Sequence, residues 1–267
     1  LSFMRHPEFF VPGFRDYLQS AVSRAVEKAH HVLADSKSTR QDLIELLAVE
    51  PERVSVLYPG VEARFQRVTD ADHLARVRAK YRLPRWFVLG LGTLQPRKNF
   101  DGLIESFHLL LGQAGSAPGI TEMDLVVCGG QGWMFEETMA SIERTGLGER
   151  VHFPGFVDDA DLPALYSLAS VFAFPSWYEG FGLPVLEAMA CGTPVVAANN
   201  SSLPEVVGEA GLMVDAADTH SLARALGRLL ADDALRGRLV AAGLDQARRF
   251  CWQDAARQLL EVYQAFA

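Results

Sequence analysis

The sequence predicts an α/β protein built on parallel sheets, and three observations carry that reading. Short continuous apolar runs, such as Ser170-Val-Phe-Ala-Phe174, match strands buried on both faces. Segments with apolar residues at helical spacing separate these runs, as alternating strands and helices require. Glycine-rich turns follow the strands, at the carboxyl edge where open parallel sheets bind ligands. The 267 residues allow one or two domains, and 49% apolar content supplies a substantial core. A formal net charge of −8 argues against nucleic acid as a partner. Cys128, Cys191 and Cys251 lie in apolar or helical contexts without a spacing pattern, which reads as reduced thiols in a cytoplasmic protein. No run is long and apolar enough to span a bilayer, and no signal peptide is visible.

In chain order, a helix is expected over about 14–29, where Leu18, Val22, Ala25 and Val26 keep the helical period. Residues 32–34 read as a short strand, 38–47 as a capped helix and 53–58 as an alternating strand ending in Pro59-Gly60-Val61. Two strands leave open edges and uncovered faces, so residues 1–61 read as part of a domain. His30-His31 reads as a helix-to-strand junction, because no partner stands at metal-ligand spacing. Residues 62–70 are the expected linker to a second domain over 71–249. Within it, 86–92 reads as a strand with a glycine end, and Asn99 as the N-cap of a helix reaching about residue 111. An apolar strand over 124–127 leads into Cys128-Gly-Gly-Gln-Gly132. That turn lacks the Gly-x-Gly-x-x-Gly spacing of a dinucleotide fingerprint. Residues 151–157 read as strand and turn, 217–230 and 232–250 as helices, and 252–266 as an amphipathic helix in a terminal segment, 250–267.

The chemistry concentrates in Glu179-Gly-Phe-Gly-Leu-Pro-Val-Leu-Glu187, which continues as Ala-Met-Ala-Cys-Gly-Thr-Pro-Val-Val196. Two carboxylates eight positions apart bracket a glycine-rich turn and a helix opened by Pro184. The amides of Gly180, Phe181, Gly182 and Leu183 then lack intrahelical acceptors and point out at the positive end of the helix dipole. Such a nest favours a phosphate or diphosphate, which fills several donors at once. Glu187, one turn into the helix, is placed to accept two hydroxyl hydrogen bonds from a ribose diol. Glu179 is placed to reach sugar hydroxyls beyond the phosphates. For either acid alone, a solvated loop acid or a first-turn helix acid is the simpler reading; the pair around Gly-Phe-Gly-Leu-Pro favours a binding role. Arg97 and Lys98 lie in a second strand-to-helix loop, Gly92-Thr-Leu-Gln-Pro-Arg-Lys-Asn99, at the same sheet edge.

These residues, with Asn199-Asn-Ser-Ser-Leu-Pro-Glu-Val-Val-Gly-Glu-Ala-Gly-Leu-Met-Val-Asp215, resemble the retaining nucleotide-sugar glycosyltransferases of family 4 (glycosyl transferase group 1). Bacterial mannosyltransferase-type members are the most similar. The resemblance covers essentially the whole chain. It implies a GT-B fold, in which two Rossmann-like α/β units face a cleft, the acceptor-side unit first and the donor-side unit second. Lys98 would grip the donor diphosphate, with Arg97 sharing the neutralisation. Gly92 and Thr93 would line the donor at the strand end; some members carry an arginine where this chain has Thr93. Phe156 and Val157 would frame the nucleotide base, largely through backbone atoms, with core packing an equally good reading. Glu187 would hold the ribose. Glu179 would hold the donor sugar and is the catalytic candidate.

The implied reaction moves a sugar, mannose first, from a nucleoside diphosphate sugar to a hydroxyl acceptor with retention of configuration, in polysaccharide biosynthesis. GDP-mannose is the first donor choice and UDP- or ADP-glucose the next, with no metal or cofactor required. The acceptor would be a sugar or a lipid-linked molecule. In the family, a segment like Leu1-Ser-Phe-Met-Arg-His-Pro-Glu8 follows a His-Asp pair whose histidine is catalytic. The chain is therefore expected to hold the second half of the acceptor domain and a complete donor domain, and to be inactive by itself. Peripheral membrane contact would run through the missing half. The last helix would cross back onto the first domain. A non-catalytic nucleotide-sugar-binding fragment and a sugar-nucleotide epimerase remain as alternatives. A phosphorylase would need a pyridoxal lysine motif, and none matches.

Overall fold

The computed structural model describes residues 1–113 and 119–266. Two parallel sheets organise them. The smaller pairs β1 (Val32–Ala34) with β2 (Val54–Val56), Val32 opposite Val54. The larger contains β3 (Phe87–Leu91), β4 (Asp124–Cys128), β5 (Val151–Gly155), β6 (Val171–Phe174), β7 (Val195–Ala198) and β8 (Leu212–Val214). Their spatial order is β5-β4-β3-β6-β7-β8, with every neighbouring pair parallel. From β3 the chain steps outward to β5, returns to the other side of β3, and steps outward again to β8. Doubly wound sheets bind ligands where that reversal occurs, outside the carboxyl ends of the two central strands. Here those strands are β3 and β6, and the loops that leave them are 92–99 and 175–182.

The helices in chain order are α1 (Ser2–Arg5), α2 (Pro12–Lys28), α3 (Lys37–Leu47), α4 (Ala71–Lys80), α5 (Phe100–Gln113) and α6 (Glu136–Thr145). They continue as α7 (Leu162–Leu168), α8 (Leu183–Ala190), α9 (Leu203–Val207), α10 (Thr219–Ala231), α11 (Asp233–Ala247) and α12 (Trp252–Phe266). Strand residues alternate between two cores, as side chains on a pleated strand must. Phe87, Leu89, Phe172, Phe174 and Val195 face one core with Tyr166 of α7 and Leu186 and Met189 of α8. Val88, Leu125, Val171, Ala173 and Val196 face the other with Leu103, Ile104 and Phe107 of α5 and Leu222 and Leu226 of α10. Burial on both faces is why these strands read as unbroken apolar runs. The first unit has a small core of Ala34, Leu43, Val49 and Val54, and α2 buries none of its residues fully.

The expected strand over 53–58 is shorter, since laddered pairing covers only Val54–Val56 before Leu57 N–H donates to Ala34 O. Helices α1, α4, α6, α7 and α9 and strand β8 add to the expected elements. The chain crosses between the units twice, side by side. Val61 N–H donates to Phe250 O at 3.0 Å, and Gly60 packs on the backbone of Cys251 and Trp252. Beyond that crossing α12 returns to the first unit, where the Phe266 ring lies 5.0 Å from His31. No helix among the described residues is long and apolar enough to cross a membrane.

Close approach of the β3 and β4 ends leaves no room for a side chain at Gly129. Its φ is +148°, and a Cβ there would lie 1.9 Å from Gly92 O. Gly129→Ala should destabilise the protein by roughly 1–3 kcal/mol. The change would appear as a Tm lower by about 2–4 °C per kcal/mol for a domain of this size.

Candidate functional site

The loop after β3 owes its shape to glycine and proline. Gly92 adopts φ +149°, and a Cβ there would meet the Lys98 side chain at 3.0 Å. Pro96–Lys98 forms a 3-10 turn, ending in Asn99 in the left-handed region at φ 57°. This turn drives Lys98 inward. Its Nζ lies 2.7 Å from Glu179 Oε1 and 4.7 Å from the Phe174 ring centroid. Arg97 Nη1 lies 2.8 Å from Glu179 Oε2 and donates to Tyr178 O at 2.6 Å. One buried carboxylate thus holds both cations, and through them the two loops at the switch point.

Asn99 differs from its expected role. Its carbonyl accepts the Leu103 N–H, as an N-cap carbonyl does. Its side-chain amide instead donates to Pro175 O at 3.0 Å and Ala216 O at 2.8 Å. Asn99 therefore ties the loop after β3 to the loops after β6 and β8.

The loop after β6 is held from behind. Glu179 N–H donates to Ser201 Oγ at 2.9 Å, and the Ser202 hydroxyl is shared between Glu179 O (3.0 Å) and Phe181 O (2.7 Å). From the first unit, the Thr39 hydroxyl donates to Gly180 O at 3.2 Å. The Tyr178 hydroxyl donates to Asp42. Gly182, at φ +112°, turns the chain into α8, which begins at Leu183 and so puts Pro184 second in the helix. Among the described residues, the amides of Gly180, Phe181, Gly182 and Leu183 find no protein acceptor. Four consecutive free donors at a helix start form an anion-binding nest. Ser176 Oγ, on the same loop, is also buried without a partner among the described residues.

The two acids are pushed in opposite directions. Burial raises the Glu179 carboxyl, but Lys98 and Arg97 outweigh it, so Glu179 lies below its ordinary 4.5. Burial also pulls the Lys98 ammonium below its ordinary 10.5; Glu179 opposes this and Arg97 adds to it. Glu187 lies above 4.5, chiefly through burial, although it accepts the Tyr166 hydroxyl at 2.8 Å. Asp159 is among the charges that hold it up.

Gly92, Thr93, Phe156 and Val157 come together around a cavity of about 160 Å³, which Asp159 also lines. Phe156 is 71% exposed, whereas Val157 is buried. The Phe181 ring does not face this space. It packs into the core with its centroid 5.9 Å from Tyr58 and 5.7 Å from Phe250, which leaves its amide for a ligand. The side chain of Leu183 also packs on that core. A larger cavity of about 610 Å³ lies at the opposite, amino-terminal edge of the strands, lined by Trp86, Ser170 and Pro194 and by none of the candidate residues. Sequence reasoning missed Thr39, Asp42, Ser201, Ser202 and the bridging role of Asn99. The serines stand within the Asn199-Asn-Ser-Ser stretch, which was the available signal.

A doubly wound parallel sheet with free amides, a buried lysine and a half-buried arginine at its switch point defines an α/β protein with a crevice between its two central strands. More particularly, this chain belongs to the family of glycosyl transferases group 1, whose model matches residues 75–246. The chain is 34% identical over 98% of its length to the O-antigen chain mannosyltransferase B of Escherichia coli, of which it spans 68%. Identity to the serotype-specific mannosyltransferase WbdA of E. coli is 33% over 94% of the chain, which spans 31% of that protein. A D-inositol 3-phosphate glycosyltransferase of Salinispora tropica is 38% identical over 90% of the chain, which spans 52% of it. Among solved structures, Anabaena Alr3699/HepE in complex with UDP and glucose superposes with a TM-score of 0.81. Identity there is 25%, covering 97% of this chain and 69% of that one. Sucrose-phosphate synthase from Thermosynechococcus elongatus gives a TM-score of 0.76 at 28% identity, covering 91% and 60%. The expected α/β class and GT-B architecture hold.

Asn99→Ala would strand two buried carbonyls, at about 1–3 kcal/mol for unsatisfied buried groups. Urea unfolding should report that loss as a lower midpoint at unchanged slope.

Proposed function

We propose that residues 71–249 bind a nucleoside diphosphate sugar, and that the protein transfers the sugar to a hydroxyl acceptor with retention of configuration. In this reading residues 1–61 belong to the acceptor-side unit, 62–70 link the units, and 250–267 return to the first. One observation carries the proposal: four free amides at 180–183 lie beside two cations already gathered on a carboxylate. The diphosphate would meet those amides with Lys98 and Arg97. They would stabilise the charge that develops as the sugar departs. Cationic side chains and the helix end supply that stabilisation without a metal.

Glu187 would accept ribose hydroxyls and Glu179 would orient the donor sugar. The nucleotide base would occupy the cavity lined by Gly92, Thr93, Phe156 and Val157. The β5 ladder ends at Gly155, which leaves the peptide groups of 156 and 157 outside it. The mannosyltransferase relatives support GDP-mannose as the first donor choice, ahead of UDP- or ADP-glucose. A sugar or lipid-linked hydroxyl is the proposed acceptor. A cytoplasmic setting fits the three free thiols.

Calorimetric titration with GDP, UDP and ADP tests the site and its base, with GDP expected to bind most tightly. Binding of none of the three would overturn the donor site. A donor hydrolysis assay then separates an enzyme, which releases free sugar, from a binding fragment.

Glu187→Ala should weaken nucleotide binding by roughly 1.5–3 kcal/mol, the range for hydrogen bonds to a charged acceptor, with the fold retained. Unchanged affinity would remove Glu187 from the ribose role.

Because the Glu187 carboxyl is raised above 4.5, its pH signature has two opposed parts. Nucleotide affinity should fall as pH drops through the raised value, since only the ionised form is a full acceptor. Stability from this group runs the other way: it is present below 4.5 and lost as pH rises through the raised value. Glu187→Gln should flatten both profiles.

A further inference from the structure

Helix α9 meets the donor loop at one end and the first unit at the other. Just before it, Ser201 and Ser202 hold the backbone of Glu179 and Phe181. Within it, the Glu205 carboxylate reaches across to α3. Oε2 accepts the Lys37 N–H at 2.9 Å and the Tyr58 hydroxyl at 2.8 Å, and Oε1 accepts the Ser38 N–H at 2.8 Å. Lys37 and Ser38 open α3, which has no acidic residue in its own first turn. The third amide, of Thr39, goes to Ser36 Oγ at 2.9 Å. A carboxylate 168 positions away thus satisfies two donors that a helix usually satisfies locally or through water, and it stands at the positive end of the α3 dipole.

The path then closes on the donor loop. Thr39, next along α3, donates its hydroxyl to Gly180 O. Tyr58, also held by Glu205, sets its ring 5.9 Å from Phe181. The loop with the free amides is therefore gripped on one side by the residues leading into α9, and on the other by first-unit residues that Glu205 fixes in place.

We propose that Glu205 is a positioning residue: it docks α3 of the first unit onto α9 and, through Thr39, sets the shape of the 179–182 loop that presents the diphosphate amides. The loop's consequence for binding rests on the donor-site reading; the mechanical tie does not. With the tie intact, the Gly180 carbonyl is occupied by the Thr39 hydroxyl, which holds that side of the loop. With the tie broken, the loop loses its outer anchor while the Ser201 and Ser202 contacts remain.

The test is residue-resolved amide exchange by NMR on the full chain, comparing wild type with Glu205→Gln and Thr39→Val. The informative amides are Glu179, bonded to Ser201 Oγ, and Val185, bonded to Gly182 O. Glu205→Gln should speed exchange at Lys37 and Ser38, and also at Glu179 and Val185, by about tenfold, the equivalent of one lost hydrogen bond. Thr39→Val should speed Glu179 and Val185 without affecting Lys37 and Ser38, and it carries the test if the Glu205 variant does not fold. At Glu179 and Val185 the double variant should resemble either single one, because both cut the same path. Faster exchange confined to Lys37 and Ser38, or additive effects at Glu179 and Val185, would reduce Glu205 to a local helix cap and overturn the proposal. A parallel titration with GDP should show each variant binding about tenfold more weakly by the same arithmetic. If wild type binds no nucleotide, the donor-site reading falls, while the exchange data still decide the tie.

Discussion

At the carboxyl ends of β3 and β6 a single buried carboxylate, Glu179, pairs with two cations from the neighbouring loop and leaves one net positive charge. Taking three charges out of water is costly, and each is tolerable only while its partners stay in place. That constraint reaches outward. Gly92 must lack a side chain for Lys98 to pass. The Phe174 ring must lie under the ammonium, and Arg97 must also find the Tyr178 carbonyl. Asn99 then fixes the turn by binding carbonyls from two other loops. The local structure is arranged to keep positive charge at one place and to balance it with an acid on a loop whose amides remain free.

The topology explains why this can be done at one point. Only between β3 and β6 do successive crossovers leave in opposite directions, so only there do two loops diverge around an open crevice. Apolar packing on both faces of the sheet supplies a rigid base, so the polar contacts have to orient the loops and need not hold the fold together. A cavity of about 610 Å³ lies at the other edge of the strands, lined by none of the candidate residues. Size alone does not mark the point where free amides and charged side chains converge.

Within one loop and helix, environment separates two chemically identical side chains. Glu179, between two cations, is held ionised; Glu187, half-buried against Tyr166, is pushed toward its neutral form. Divergent environments for paired acids are a common mark of distinct roles. In the proposed reaction the first works beside the diphosphate and sugar, and the second at the ribose. The first unit contributes more than a boundary, because Thr39 and Asp42 join its helix α3 to the same loop and Glu205 joins α3 to α9. The loop after β6 and the first unit therefore share one hydrogen-bonded framework.

Much of this was legible in the chain, and the division follows the range of the forces involved. Apolar runs gave the strands, because burial on both faces demands them; glycine spacing and Pro184 gave the nest, because backbone conformation and helix starts are local properties. The two acids eight positions apart, and the basic pair before a helix, marked the site from residue type and spacing. Tertiary structure decided the rest. It sent the Phe181 ring into the core and left its amide outside, turned Asn99 from a cap into a bridge, and recruited Ser201 and Ser202 behind the loop. It also chose the partner of Glu205, 168 positions away. Those outcomes depend on which surfaces meet once the sheets have formed, and a hydrogen bond between distant segments leaves no periodic trace in sequence.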